Sequence, residues 1–218
     1  MESFQFVDII LLAMVAGFLV LRLRSNLGRR TGHEQGHKSF SSDKVVRINK
    51  NDETQNFEND DEENLVDNEI DTGISQIINH DPGFSIDEFK SGALKAFEII
   101  LYAFAKKDKE TLDSLLSKDV FDAFVGSINE RDAAAELLET KILRVEISKI
   151  NNVGVKGSLA SISLEFISDQ INLISSQDGK LIDGDPDCIE NYRDQWTFQK
   201  NLNHKDPNWE LASTKSLS

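Results

Sequence analysis

Both tryptophans of this chain stand in one short stretch near its C-terminal end, Asp194-Gln195-Trp196-Thr197-Phe198-Gln199 through Trp209-Glu210-Leu211. Trp196 and Phe198 alternate with polar Thr197 and Gln199, and Trp209 and Leu211 alternate around Glu210. That period of two is the pattern of half-buried strands. Asn203-His204-Lys205-Asp206-Pro207-Asn208 lies between them and is rich in turn formers. The stretch is therefore expected to be an antiparallel hairpin with large aromatics on one face. A hairpin is marginal in water on its own, so the rest of the chain must cover that face.

The cover is expected from helices upstream. Ser85-Ile86-Asp87-Glu88 has the spacing of a capping box, and Phe84 with Phe89 that of a hydrophobic staple. Phe89, Ala93, Ala96, Phe97, Ile100, Leu101 and Phe104 then recur at helical intervals. Asp108 can cap a short second helix carrying Leu112, Leu115 and Leu116. A third helix from about Asp119 carries Val120, Phe121, Phe124, Val125 and Ile128 and is expected to reach Leu138. The period then changes. Leu143, Val145 and Ile147 alternate with polar residues, Asn151-Asn152 and Gly154 to Gly157 read as a turn region, and Ile162, Leu164 and Phe166 alternate again. Gln177-Asp178-Gly179-Lys180 reads as a hairpin turn. Helices first and strands afterwards predict an α+β domain with an antiparallel sheet.

The N-terminal end has a different character. Phe4 to Leu21 is apolar apart from Gln5 and Asp8, and Arg22, Arg24, Arg29 and Arg30 follow it. A run of roughly 18 residues is just long enough to span a bilayer. Residues 1–24 are expected to be a single-pass signal anchor, with Phe4, Ile9, Leu11, Leu12, Phe18 and Leu21 in lipid and Arg22 and Arg24 at the inner surface. The one-sided arginines place the N-terminus outside and the remainder inside. A cleavable signal peptide would carry its basic residues in front rather than behind, and the arginine flank also argues against a buried core helix.

Between anchor and domain the charge is strongly negative. The whole chain carries a formal −14, of which residues 31–80 contribute −8, from four basic and twelve acidic side chains. Asp52 to Asp71 holds ten carboxylates and no basic side chain. Residues 25–82 are accordingly expected to be a disordered acidic linker, with the folded domain over residues 83–216.

Little here points to chemistry. An acidic chain without clustered Lys and Arg excludes nucleic acid as an expected partner. Cys188 is the single cysteine, so no intrachain disulfide can form, which fits a reducing compartment. Asp183, Asp185 and Asp187 alternate like calcium ligands, but Pro186 and the lack of a downstream Glu spoil that pattern. His33, His37 and His80 are too scattered for a metal site, and there is no phosphate loop or dinucleotide fingerprint. No catalytic residue, cofactor or metal is expected. The one open alternative is Asp194, which strand parity puts on the face of Trp196 and Phe198; a carboxyl turned into an apolar pocket would have a raised pKa.

The pattern Phe89-x-x-Gly92-Ala93-x-x-Ala96-Phe97-Glu98-x-Ile100-x-x-Ala103-Phe104-Ala105, then Asp108, then Leu112-x-x-Leu115-Leu116, resembles the opening of the Tim44-like domain family. Asp178-Gly179, Gly184-Asp185-Pro186, Asp194-x-Trp196-Thr197-Phe198 and Pro207-Asn208-Trp209-x-Leu211-x-x-Thr214 are similar to its bacterial, TimA-type branch. Lys107, where a Gly would be usual, and Gln199-Lys200 depart from the pattern. The resemblance covers roughly residues 84–215. It implies a cone-shaped fold of the nuclear-transport-factor type, with helices on a curved antiparallel sheet of about four strands and an apolar pocket between them. It also implies an adaptor role at an inner membrane. In mitochondria the relative recruits a DnaK-type chaperone to the import channel and touches cardiolipin; another sits on the mitochondrial ribosome.

The expectation is thus a non-catalytic, membrane-tethered adaptor at a bacterial inner membrane with its domain in the cytoplasm; the alternative location is the mitochondrial inner membrane. Its expected partners are the bilayer and, bound in the apolar pocket, either lipid or a protein of the chaperone, translocation or other inner-membrane machinery. Phe97, Ile100, Leu101, Phe104, Phe121, Phe124, Ile162, Leu164, Phe166, Trp196, Phe198 and Trp209 are the expected core and pocket lining. The alternatives are a small-molecule-binding or enzymatic domain using Asp194, and a ribosome or nascent-chain docking factor, which the acidic charge opposes.

Overall fold

The computed structural model describes residues 58–204 and 208–217, with residues 58–67 by backbone alone. Four helices precede five strands: α1 Glu58–His80, α2 Ile86–Lys106, α3 Lys109–Leu115, α4 Lys118–Ala133, β1 Glu136–Lys156, β2 Leu159–Ser176, β3 Leu181–Asp183, β4 Glu190–Asn201 and β5 Glu210–Ser216. The strands form one antiparallel sheet in the order β1-β2-β4-β5, with short β3 against the far end of β2. The α+β class is as expected. The expected membrane anchor, residues 1–24, lies outside the described residues. Among the described residues no helix is long and apolar enough to cross a membrane.

Local signals act where the sequence places them. Ser85 accepts a hydrogen bond from the Glu88 amide at 3.4 Å and caps α2. Phe84 and Phe89 close the staple with ring centroids 6.2 Å apart. Asp108 caps α3, accepting from the Thr111 amide at 3.1 Å and its hydroxyl at 2.6 Å. These bonds to the ionised carboxylate hold Asp108 below its ordinary pKa. Gln177-Asp178-Gly179-Lys180 does turn the chain, with the Gly179 amide donating to Ser176 O and the Ser176 amide to Lys180 O, both at 2.9 Å.

Three expectations are corrected. The linker assigned to residues 25–82 is helical from Glu58 to His80. Ile70, Gly73, Ile74 and Ile77 form a stripe at helical spacing, Ile77 is fully buried, and Ile70 and Ile74 pack on the core. This stripe supplies the burial that the surrounding carboxylates obscure. Gly73 is required there: a Cβ on it would stand 2.2 Å from Val153 O. The third helix ends at Ala133 rather than Leu138, because Ala135 takes a left-handed φ of 55° and Glu136 opens β1. The expected turn over 151–157 is strand: β1 absorbs Asn151-Asn152 through a register shift and reaches Lys156, leaving only Gly157-Ser158 to connect to β2.

The sheet has an apolar inner face and a polar outer one. Ile162, Leu164 and Phe166 of β2 stand beside Phe198, Trp196 and Asp194 of β4 in register. Helices cover this face, and Phe97 at the centre of α2 stacks on Phe166 at 4.8 Å and lies 4.6 Å from Trp196. The hairpin is in place: Trp196 pairs with Thr214 and Phe198 with Leu211, across a bulge. The edge of β5 is tied to the helical layer by a bridge from Leu116 to Leu211 and by the Ser117 amide donating to Leu211 O at 2.9 Å. On the outer face Glu165, 2% exposed, accepts from Arg193 Nε at 2.7 Å and lies 3.8 Å from Lys149 Nζ. Burial pushes its pKa up, but Arg193 and Lys149 outweigh this and hold it below the ordinary value.

Candidate functional site

The twelve residues expected to line a pocket come together, but mostly as a packed core. Phe97, Ile100, Phe124, Ile162, Leu164, Phe166, Trp196 and Phe198 are all buried. Leu101, Phe104, Phe121 and Trp209 are partly buried against that cluster. Phe97 occupies the space above Phe166 and Trp196, and Phe104 meets Phe124 edge-on at 5.0 Å.

Among the described residues an open concavity lies at one end of this core, where the chain passes from α1 into α2. It is a cleft of about 440 Å³ lined by Asp81, Gly83, Phe84, Ser85, Glu88, Phe89, Gly92, Ala93, Ala96, Leu115, Phe198, Lys200, Asn208 and Trp209. Of the expected lining, Phe198 and Trp209 are in it. Its origin is local. The staple turns Phe84 and Phe89 toward the hairpin, where Trp209 lies 4.8 Å from Phe89 and 6.0 Å from Phe84, and Phe198 meets Phe89 edge-on at 5.8 Å. The next turns of α2 then present Gly92, Ala93 and Ala96, too small to fill the space beside those rings. The missed lining had a signal in the sequence: a staple followed by small residues on the helical face below it.

The rim is polar. Lys200 reaches from the end of β4 to Asp81 at 3.1 Å, with its own side chain only 12% exposed, and so pins the end of α1 to the sheet. A second hollow of about 290 Å³, lined by Leu159, Gln199, Lys200, Asn201, His204, Asn208 and Glu210, shares Lys200 and Asn208 with the first. The two thus adjoin, one floored by aromatic rings and the other by polar groups. Such a surface can hold an apolar side chain while its polar flank hydrogen-bonds nearby.

Asp194 is elsewhere. It sits between Phe166 on β2 and Ser216 on β5, on the inner face and four residues along β4 from Phe198. Burial pushes its carboxyl up from 3.8 to about 6, against the opposing effect of a hydrogen bond with Ser216. Toward this end the inner face turns polar: Ser168 pairs with Tyr192 and Gln170 with Glu190. Burial foremost, with the Tyr192 hydroxyl donating to Glu190, lifts the Tyr192 phenol to about 12. Cys188 is exposed, and among the described residues no group of three or more His, Cys, Asp or Glu side chains could hold a metal ion.

Helices layered on one face of an antiparallel sheet, with an aromatic cleft at the edge of a closed core, define an α+β domain. The comparisons make this specific. Residues 70–216, two thirds of the 218-residue chain, match the Tim44-like domain, and the chain belongs to that family. An uncharacterized protein of Rickettsia prowazekii is 23% identical over 230 aligned residues, covering 98% of this chain and 99% of that protein. A mitochondrial import inner membrane translocase subunit of Arabidopsis thaliana is 22% identical over 125 residues, covering 57% of this chain; the match spans only 26% of that longer protein. Among solved structures, the intermembrane space region of the chloroplast protein ARC6 superposes with a TM-score of 0.48 and 13% identity, over 62% of this chain and 98% of that one.

Proposed function

We propose that this chain is a non-catalytic adaptor, tethered to an inner membrane by a single-pass anchor over residues 1–24, whose domain holds an apolar segment of a partner protein in the Phe84–Phe89–Phe198–Trp209 cleft. The observation that carries this is the cleft itself: an open, aromatic-floored concavity of about 440 Å³ with a polar rim. Membership of the Tim44-like family supports the adaptor class, as does likeness to a protein named as a translocase subunit. The match along the whole chain to a Rickettsia protein favours a bacterial inner membrane over a mitochondrial one. The cone-shaped form of the nuclear-transport-factor type belongs to the same reading. Tethering confines the bound segment at the membrane and raises its effective concentration without new contacts.

Gly92→Leu tests this. A Cβ at Gly92 meets nothing within 4 Å, so a leucine there fills the cleft without a clash at its base and favours the helix by up to about 1 kcal/mol. A photo-crosslinker at Ser85 of the full chain, in native membranes, is expected to capture one discrete protein, and Gly92→Leu to abolish that product while the domain stays folded. No product, or one indifferent to Gly92→Leu, refutes the cleft as the docking site.

The second reading is a small-molecule site built on Asp194, favoured by its raised pKa on the inner face. It predicts that Asp194→Asn removes function while the fold persists, whereas the adaptor reading predicts that function survives.

A further inference from the structure

One wall of the cleft hangs on α1. From the close approach of Gly73 to Val153 the helix runs one turn on to Ile77, which is fully buried. The Asp81 amide donates to Ile77 O at 2.8 Å, and the Phe84 amide donates to Asp81 O at 2.9 Å. The Asp81 carboxylate accepts from Lys200 Nζ at 3.1 Å. Asp81, Gly83 and Phe84 line the cleft, and the Phe84 ring lies 6.0 Å from Trp209, which lines it from the hairpin. A continuous run of contacts thus leads from the edge strand β1, through the end of α1, to the aromatic floor.

That packing is what makes α1 a helix. Its sequence holds eight carboxylates and no Lys or Arg, with Gly73 near the C-terminal end of its acidic run. Like charges at helical spacing and an interior glycine both disfavour a free helix. The apolar stripe that offsets them is narrow: Ile77 is fully buried, while Ile70 and Ile74 are partly buried against the core. Docked helix and released chain are therefore two discrete states of one segment, at the low-stability end of the fold. By contrast α2 is held by Phe89, Ala93, Phe97, Ile100 and Ala103, all buried, so it stays on the sheet when α1 leaves. Release alters the cleft instead: Phe84 loses the turn that sets it against Trp209, and Lys200 loses Asp81.

We infer that α1 is a strap that couples the N-terminal side of the chain to the cleft: docked on β1 it completes the cleft, and released it dismantles the wall made by Asp81, Gly83 and Phe84. This rests on the reading of the cleft as the docking site for an apolar partner segment. Coupling between two sites is reciprocal. A segment held in the cleft keeps α1 on the sheet, and anything that draws α1 off β1 lowers the affinity of the cleft. The tether thereby sets how firmly the partner is held as well as where.

The test breaks the stripe outside the cleft, with Ile70→Asp and Ile74→Asp together. The full chain in detergent carries 5-fluorotryptophan, and the Trp209 fluorine resonance is identified by its absence in Trp209→Phe. In the double variant the amides of residues 68–80 should exchange faster, and the Trp209 resonance should move while that of Trp196, in the core, stays. The crosslink from Ser85 in native membranes should fall about fivefold or more. Lys200→Met cuts the ion pair at the other end, and the amides of Ile70 and Ile74, about three and two turns before Asp81, should then exchange faster too. Faster exchange with an unmoved Trp209 resonance overturns the inference, because α1 then leaves without touching the cleft. Unchanged exchange in the double variant overturns it as well, since α1 is then no releasable element. A wild-type chain that gives no crosslink refutes the docking reading alone, and the exchange and fluorine measurements still decide the coupling. Should the double variant lose its whole fold, seen as a displaced Trp196 resonance, Gly73→Ala takes its place.

Discussion

Replacing Asp194 by Asn tests whether burial, rather than a charge partner, governs the inner face. The folded state raises this carboxyl from 3.8 to about 6, so the fold favours its protonated form. Its contribution is fully present below pH 3.8, is lost as pH rises to about 6, and above that the ionised carboxylate sits at a net cost. About two pKa units correspond to ~3 kcal/mol at most, since each unit is about 1.4 kcal/mol. Partial exposure reduces this to about 1–2 kcal/mol. Asparagine has the same shape, no charge and an oxygen that can still accept from Ser216. At pH 7.5 Asp194→Asn should therefore be more stable than wild type by about 1–2 kcal/mol, or roughly 3–6 °C in Tm for a chain of this size. At pH 4 the two proteins should nearly coincide. Urea unfolding of both from pH 4 to 8 measures this, and taking the difference cancels groups such as Glu165 that titrate alike in each. A difference independent of pH, or a variant less stable at pH 7.5, would refute the reasoning; the latter would mean that a cation compensates the ionised carboxylate.

Other outcomes follow from the packing. Gly73→Ala places a methyl 2.2 Å from Val153 O, so despite alanine's better helix propensity it should cost about 1–3 kcal/mol and raise hydrogen exchange in α1; a gain in stability would show that α1 is not docked. Phe97→Ala opens a cavity over Phe166 and Trp196 and should cost about 3–5 kcal/mol in chemical denaturation. Lys107 caps α2 at a φ of 61° and also bridges to Asp132 and to Glu136 O. Lys107→Gly should relieve the backbone while losing the bridge, for a net change within about 1 kcal/mol of zero in calorimetry; a larger loss would make the bridge the dominant feature.

Much of this could be read from residue order because the signals were local. Ser85 and Glu88 cap, Phe84 and Phe89 staple, and Trp196 and Phe198 alternate, each within a few positions. What was not legible depended on partners far away in sequence. The stripe of Ile70, Ile74 and Ile77 is visible once α1 is known, but ten carboxylates between Asp52 and Asp71 and a glycine at its centre read as a solvated spacer. Only the approach of Val153 makes Gly73 a packing residue. Likewise Asn151-Asn152 and Gly154 look like a turn, and the pairing of Asn152 with Ser163 and of Gly154 with Ser161, with Asn151 taken up in a register shift, is what holds them in strand. The pocket moved for a volumetric reason: sequence shows that Phe97 faces the sheet, not that its ring fills the space there.

The docking of Gly73 against Val153 also bears on how the chain acquires its structure on the ribosome. Synthesis runs from the N-terminus, so α1 emerges 80 residues before the strand it packs on. At about 5–20 residues per second this leaves its isoleucine stripe without a partner for ~4–16 s. β4 comes later still, and with it Trp196 and Phe198, the residues on which α2 closes. The helical half is thus made first and completed last. The dense run of carboxylates around α1 can keep the waiting helix soluble by mutual repulsion until the sheet arrives, so the acidity that disguises the helix in the sequence also protects it during synthesis.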